Sequence, residues 1–102
     1  MSNKLTKQEI LSYLTENKTS FFYKYNLEKI GVFGSYARGE QTEDSDIDIL
    51  IEIHSGTDDI FEKKQELRNV LENKFNKHID ICRERSIKPM FKSLILKDVI
   101  YV

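Results

Sequence analysis

A strand of alternating aspartate and isoleucine constrains this chain more than any other feature. Asp46 and Asp48 alternate with isoleucines that continue to Ile53. Because successive side chains of a β-strand point to opposite faces, both carboxylates share one face while the isoleucines pack against the other. The pattern predicts a strand over residues 46–53 whose polar face can hold Mg²⁺ through carboxylate oxygens.

A glycine-serine pair stands ten residues before this strand. The apolar run Ile30–Phe33 predicts a short buried strand, so Gly34 and Ser35 fall where a strand turns into a helix. The first N–H groups of a helix have no partner within it, and they favour anions. The sequence therefore predicts a phosphate site next to the carboxylates.

Three other motifs that combine glycine with aspartate do not fit. A P-loop needs Lys and Ser or Thr where this chain has Glu40 and Gln41. An EF-hand beginning at Asp44 needs glycine where Ile49 stands and glutamate where Ser55 stands. The glycines also lack the spacing of a dinucleotide-binding fingerprint.

A third aspartate lies in a second alternating segment. Asp80 sits between isoleucines in the strand predicted over residues 78–82. A lone aspartate in such a strand ordinarily just faces solvent. If this strand neighbours the first, however, Asp80 meets Asp46 and Asp48 on the same face, and a divalent cation would relieve their repulsion.

Length and composition limit the class of protein. A chain of 102 residues with no linker or repeat predicts a single domain over residues 1–102. Its net charge is −1 with no basic block, so we expect no stable nucleic-acid binding. The single cysteine, Cys82, excludes an internal disulfide and is expected to pack in its strand. No apolar run is long enough for a membrane span, so we expect no membrane association and a cytoplasmic protein.

The rest of the pattern predicts helices around a small mixed sheet, in the α/β (α+β) class. A Thr6 capping box starts the first helix, and proline starts the last. The predicted segments are helices over about Lys7–Glu16, Phe21–Tyr25 and Asp59–Phe75, a helix from Lys88-Pro89 whose apolar stripe includes Leu94, Ile95 and Val99, and an edge strand at Tyr101-Val102.

Several side chains are expected to be structural only. Glu52 is expected to be an ordinary exposed residue, because it lies beyond the aspartate pair. His54 and His78 have no second imidazole at ligand spacing, so a surface or capping role is expected and a zinc site is not. The aromatic side chains expected to pack in the core are Phe21, Phe22, Tyr23 and Tyr25.

The segment GSYARGEQTEDSDIDILIE resembles the signature of the minimal nucleotidyltransferase (MNT) branch of the DNA polymerase β-like nucleotidyltransferase superfamily. Nearly the whole chain takes part, because His78–Cys82 resembles the strand of the third aspartate and residues 94–102 resemble the usual C-terminus. The resemblance implies a nucleotidyltransferase fold, ATP as substrate and Mg²⁺, or Mn²⁺, as cofactor. It implies catalytic metal ligands at Asp46, Asp48 and Asp80, and nucleotide contacts at Gly34, Ser35 and Arg38.

Members of this branch pair with HEPN-domain ribonuclease toxins and act as antitoxins that transfer AMP from ATP to a toxin tyrosine. The resemblance therefore implies a HEPN-domain toxin as the partner. Two alternatives stay open: an antitoxin that only binds and occludes the toxin, and nucleotidyl transfer to a small molecule such as an aminoglycoside. The last would need an acidic acceptor pocket, to which Glu40, Glu43 and Asp44 could contribute.

Overall fold

Residues 4–102, which a computed structural model describes, form a four-stranded sheet with five α-helices. In chain order the elements are α1 (Lys7–Glu16), α2 (Lys18–Tyr25), β1 (Leu27–Phe33), α3 (Gly34–Arg38), β2 (Ile47–Ile53), α4 (Ile60–Phe75), β3 (Ile79–Arg83), a 3-10 turn (Glu84–Ser86), α5 (Pro89–Leu96) and β4 (Ile100–Tyr101).

The sheet is mixed, with the strand order β3-β2-β1-β4. The central strands β1 and β2 pair antiparallel, and β4 is antiparallel to β1 at one edge. The strands β2 and β3 are parallel, because α4 carries the chain back across the sheet between them. This confirms the α/β (α+β) class and the neighbouring strands that the three aspartates require.

Local sequence signals set the helix boundaries well. The Thr6 side chain accepts a hydrogen bond from the Glu9 N–H at 3.2 Å, and α1 has the predicted bounds. Pro89 is the first residue of α5, where its missing N–H costs nothing. The second helix is three residues longer than predicted, because the polar Lys18–Ser20 turn carries no apolar periodicity. Val99 lies beyond α5, so the predicted stripe is wrong at that residue.

The core lies on the isoleucine face of the sheet. The helices α1 and α4 supply Ile10, Leu14, Leu67 and Leu71 to it, all without exposed surface. The sheet contributes a row of buried side chains from its three longer strands: Ile30, Val32, Ile47, Ile49, Ile51, Ile53, Ile79 and Ile81. Burial of a large aliphatic side chain is worth about 1.5–3 kcal/mol, so this face anchors the strands.

The dense aromatic segment packs only in part as expected. Phe21 and Tyr25 are buried, and Phe22 packs at the margin of the core. Tyr23 is 92% exposed, so its predicted packing role is wrong. Because Tyr23 lies two residues after Phe21, it is turned about 200° around the helix and faces solvent.

Glu52 corrects a second expectation, since it is 5% exposed and not a solvent-facing residue. It shares the sheet face of Asp48, but the turn after β3 folds over it. Its carboxylate accepts hydrogen bonds from the Arg83 guanidinium at 2.8 and 3.1 Å and from the Arg85 N–H at 3.0 Å. A buried charge needs such partners, and strand parity alone did not show that β3 would supply them.

Across residues 4–102, none of the helices has the combination of length and apolar character that a membrane crossing requires.

Candidate active site

The turn between β1 and α3 is built around a glycine. Gly34 has φ +74°, a left-handed conformation that side chains disfavour. A Cβ at this position would overlap the Oδ2 atom of Asp48. The backbone of the turn therefore lies directly against that carboxylate, and glycine is needed both for conformation and for space.

The parallel register brings the three aspartates together. Asp48 lies opposite Asp80 in the β2–β3 pair and opposite Phe33 in the β1–β2 pair. Asp46 immediately precedes β2 and is exposed, as is Asp80. One ligand atom from each of Asp46 and Asp80 lies within 4.8 Å of the other. The cluster opens to solvent at the N-terminal end of β2.

Asp48 is the most perturbed carboxyl of this cluster. Burial and then the neighbouring charges of Asp80 and Asp46 raise the pKa of Asp48 from 3.8 to about 6. Arg38 and His78 oppose this shift. Three carboxylates in one place, with one imidazole beside them and no lysine or arginine ion pair among the described residues, form a site that favours a cation.

His78 belongs to the cluster, although only a surface or capping role was expected for it. The side chain is exposed as expected, but its Nε2 donates a hydrogen bond to Asp80 Oδ1 at 3.0 Å and its Nδ1 lies 3.3 Å from Glu72 Oε2. Glu72 also accepts the Ile79 N–H at 3.1 Å, which ties α4 to the start of β3. The i, i+2 spacing of His78 and Asp80 was the available signal, because such residues share a strand face.

The remaining nucleotide-contact candidates lie beside the cluster. Ser35 is half-buried at the second position of α3. Arg38, at the end of that helix, donates to Glu40 Oε1 at 2.8 Å, and its Nη1 lies 3.5 Å from Asp98 Oδ2. Glu43 and Asp44 are exposed in the loop before β2, so with Glu40 they form a solvated rim and not an enclosed acidic pocket.

The donor set fits Mg²⁺ or Mn²⁺. Hard divalent cations prefer carboxylate oxygens, and Asp46, Asp48 and Asp80 offer these on one face. Burial, and after it the repulsion from Asp80 and Asp46, raises the pKa of Asp48, and a bound cation would offset both effects by favouring the ionised carboxylate. His78 adds an imidazole nitrogen at the margin of this set.

Three aspartates on one face of the sheet beside a glycine turn fit the nucleotidyltransferase signature that the sequence resembles. Residues 14–102 match the nucleotidyltransferase domain family, and the chain belongs to it.

Known proteins match this chain over almost its full length. The chain is 38% identical to the protein adenylyltransferase MntA of Thermococcus cleftensis over 98 residues, covering 96% of this chain and 97% of that protein. A solved candidate minimal nucleotidyltransferase superposes with a TM-score of 0.77 at 29% identity, covering 97% of this chain and 98% of the other. A toxin-antitoxin crystal structure with AMP-PNP superposes with a TM-score of 0.57 at 29% identity, covering 85% of this chain and 64% of the other.

Proposed function

We propose that this chain is an antitoxin that transfers AMP from ATP to a tyrosine of a partner HEPN-domain ribonuclease toxin, with Mg²⁺ as cofactor. The observation that carries the proposal is the parallel pairing of Asp48 with Asp80 beside the Gly34 turn. Membership of the nucleotidyltransferase family supports the reaction class. The name of the MntA relative supports a protein acceptor, and the toxin-antitoxin neighbour supports a toxin as that acceptor.

In this proposal Asp46 and Asp48 hold the metal, and Asp80 faces the acceptor as a further ligand or as the proton acceptor. Bound Mg²⁺ would stabilise the negative charge that develops on the attacking and leaving oxygens. The backbone of Gly34 and the Ser35 hydroxyl bind the β- and γ-phosphates at the start of α3. Arg38 adds a positive charge close enough to lower the pKa of Asp48, although the carboxylates of Glu40 and Asp98 share it.

The chemical step is an in-line displacement at the α-phosphorus of ATP. The tyrosine oxygen forms a new P–O bond, and the bond to the β-phosphate breaks and releases pyrophosphate. The phenol proton passes to a carboxylate of the site, for which Asp80 is the candidate. Adenylylation adds a bulky anion to the toxin, which would hinder binding of an RNA substrate by repulsion and by size.

The open site supports a protein acceptor. Asp46, His78 and Asp80 are all exposed, and the described residues form no lid over them. An acceptor hydroxyl must be positioned against the α-phosphorus, so a second macromolecule can supply the surface that this small chain does not.

Intact-mass spectrometry of the toxin after incubation with the chain, ATP and Mg²⁺ tests the proposal. We expect an AMP-sized increment that disappears with Asp46→Asn and persists with Asp58→Asn, an exposed loop aspartate away from the cluster. Neutralisation of the toxin by Asp46→Asn without any mass change would instead favour the antitoxin that only binds. Transfer to an aminoglycoside but not to the toxin would favour the small-molecule acceptor.

A further inference from the structure

The helix α5 presents an apolar face to solvent. Met90, Leu94 and Phe91 are 73%, 60% and 48% exposed, and none of the residues of α5 is buried. Their spacing of one and four residues puts them on one side of the helix. Clustered exposed apolar side chains of this kind are typical of an interaction surface.

This face is continuous with the candidate active site. A groove of about 320 Å³ separates α5 from the turn that begins α3. Its walls are formed by Phe33, Gly34 and Arg38 on one side and by Phe91, Leu94, Ile95 and Asp98 on the other. A segment seated in the groove would therefore touch the same glycine turn that lies against Asp48.

Two lysines border the apolar face. Lys88 and Lys97 are exposed, and neither of them forms an ion pair within the described part of the chain. At 100° per residue, Lys97 lies about 20° beyond the Met90 edge of the apolar arc and Lys88 lies about 60° beyond the Phe91 edge, whereas Lys92 is on the opposite side of the helix. The surface thus combines an apolar centre with a positive charge on each side.

We propose that the α5 face and its groove dock an apolar segment of the protein acceptor that is flanked by acidic residues, and that this contact brings the acceptor hydroxyl to the site. This inference rests on the proposed function and adds where the acceptor binds and what chemistry it carries. An apolar anchor in a groove supplies affinity, while lysine–carboxylate pairs at the rim supply orientation and association rate.

Charge and shape favour this occupant over two others. A second copy of the chain that met it through the same patch would bring two sets of lysines into one interface, and the carboxylate that lines the groove, Asp98, already lies 3.5 Å from Arg38 Nη1. An anionic membrane would attract the lysines, but its flat surface would not enter the groove. A protein segment can meet the lysines and also enter the groove.

Calorimetric titration against the HEPN-domain toxin of the proposed function tests the proposal. We expect Leu94→Ser, and separately the double variant Lys88→Glu with Lys97→Glu, to weaken binding about tenfold or more. Phe61→Ser is the matched control, since Phe61 is 73% exposed on α4 and away from the groove. All variants should keep the thermal shift produced by ATP and Mg²⁺, and the lysine variant keeps the test available if Leu94→Ser folds poorly.

The outcomes separate this inference from the proposed function. If the variants bind the partner as tightly as wild type, the docking assignment is wrong and the proposed function stands. If the wild-type chain forms no complex, both are wrong. Two other results would overturn the proposal if the variants leave partner binding unaffected. One is concentration-dependent dimerisation that Leu94→Ser removes, and the other is binding to phosphatidylserine vesicles that depends on α5.

Discussion

Asp48 and Glu52 lie on the same strand and the same sheet face, yet their environments shift their acidity in opposite directions. Burial raises the pKa of Asp48 to about 6, and the charges of Asp80 and Asp46 add to that shift. Burial also raises the pKa of Glu52, but hydrogen bonds from Ile53 and Arg83 outweigh it and lower the value from 4.5 to about 2. The difference lies in the neighbours and not in the strand.

The two ends of the polar face therefore have different tasks. At the Glu52 end, Arg83 and Arg85 satisfy the carboxylate and hold the turn after β3 against β2. At the Asp48 end the neighbours are carboxylates, so the protein leaves charge uncompensated where a cation and a triphosphate can bind. The Glu52 end stabilises the fold, whereas the repulsion at the Asp48 end destabilises the empty protein and favours ligand binding.

Asp48→Asn should give the largest effect and act on catalysis alone. Loss of a metal ligand should lower the rate of AMP transfer about a thousandfold or more. The midpoint of thermal unfolding should stay constant or rise, because the change removes a like-charged neighbour. Rate assays and melting curves, with Asp58→Asn as the control, measure both. Retention of more than about a tenth of wild-type turnover would contradict the metal role.

Glu52→Gln should act in the opposite sense, on stability and much less on turnover per folded molecule. Removing the charge leaves the half-buried Arg83 guanidinium without its anionic partner, which costs about 3 kcal/mol of unfolding free energy. Denaturant titration measures the change, and Glu66→Gln, at an exposed position of α4, should be neutral. A Glu52 variant as stable as wild type would mean that the arginines find other partners.

The pH dependence of the unfolding free energy should show the same difference between Glu52 and Asp48 in the unmutated protein. The folded-state pKa of Glu52 is depressed, so its stabilising contribution is complete above about pH 4.5 and is lost as pH falls through about 2. That contribution amounts to about 3 kcal/mol. Asp48 has a raised pKa, so its effect on stability has the opposite sign: protonation below about pH 6 relieves repulsion and stabilises the fold. Unfolding free energies from pH 7 to 2 should fall less steeply in Glu52→Gln than in wild type.

Periodicity and motif spacing in the sequence predicted the shared face of the aspartates and the start of the first helix. Alternation in β2 and β3 placed Asp46, Asp48 and Asp80 on one face, and the capping signal at Thr6 gave the bounds of α1. Glu52 was misjudged because its burial depends on where a later turn folds back, and strand parity holds no information about that. The exposed face of α5 was missed for a related reason, since an apolar stripe shows which side is hydrophobic but not whether the chain covers it.

Ligand binding should stabilise the Asp48 end specifically. ATP with Mg²⁺ at about a hundredfold over the dissociation constant should add about 2.7 kcal/mol, which is several degrees or more for a domain of this size. The shift should vanish in Asp48→Asn and persist, from a lower starting temperature, in Glu52→Gln. If no triphosphate with metal shifts the melting temperature of the wild type, this end of the sheet is not a nucleotide site.

The smallest expected effect concerns His78, which connects the carboxylate cluster to the body of the protein. Its hydrogen bond to Asp80 and its contact with Glu72 of α4 hold one carboxylate of the site in a defined orientation. His78→Ala frees Asp80 to rotate and should lower kcat about tenfold with little change in KM for ATP, since the phosphates bind at the Gly34 turn. His78→Gln keeps an N–H donor near the position of Nε2 and should recover most of the loss. His54→Ala, at the far end of β2, should have no effect. Equal losses in the Ala and Gln variants would show that the imidazole does more than orient Asp80.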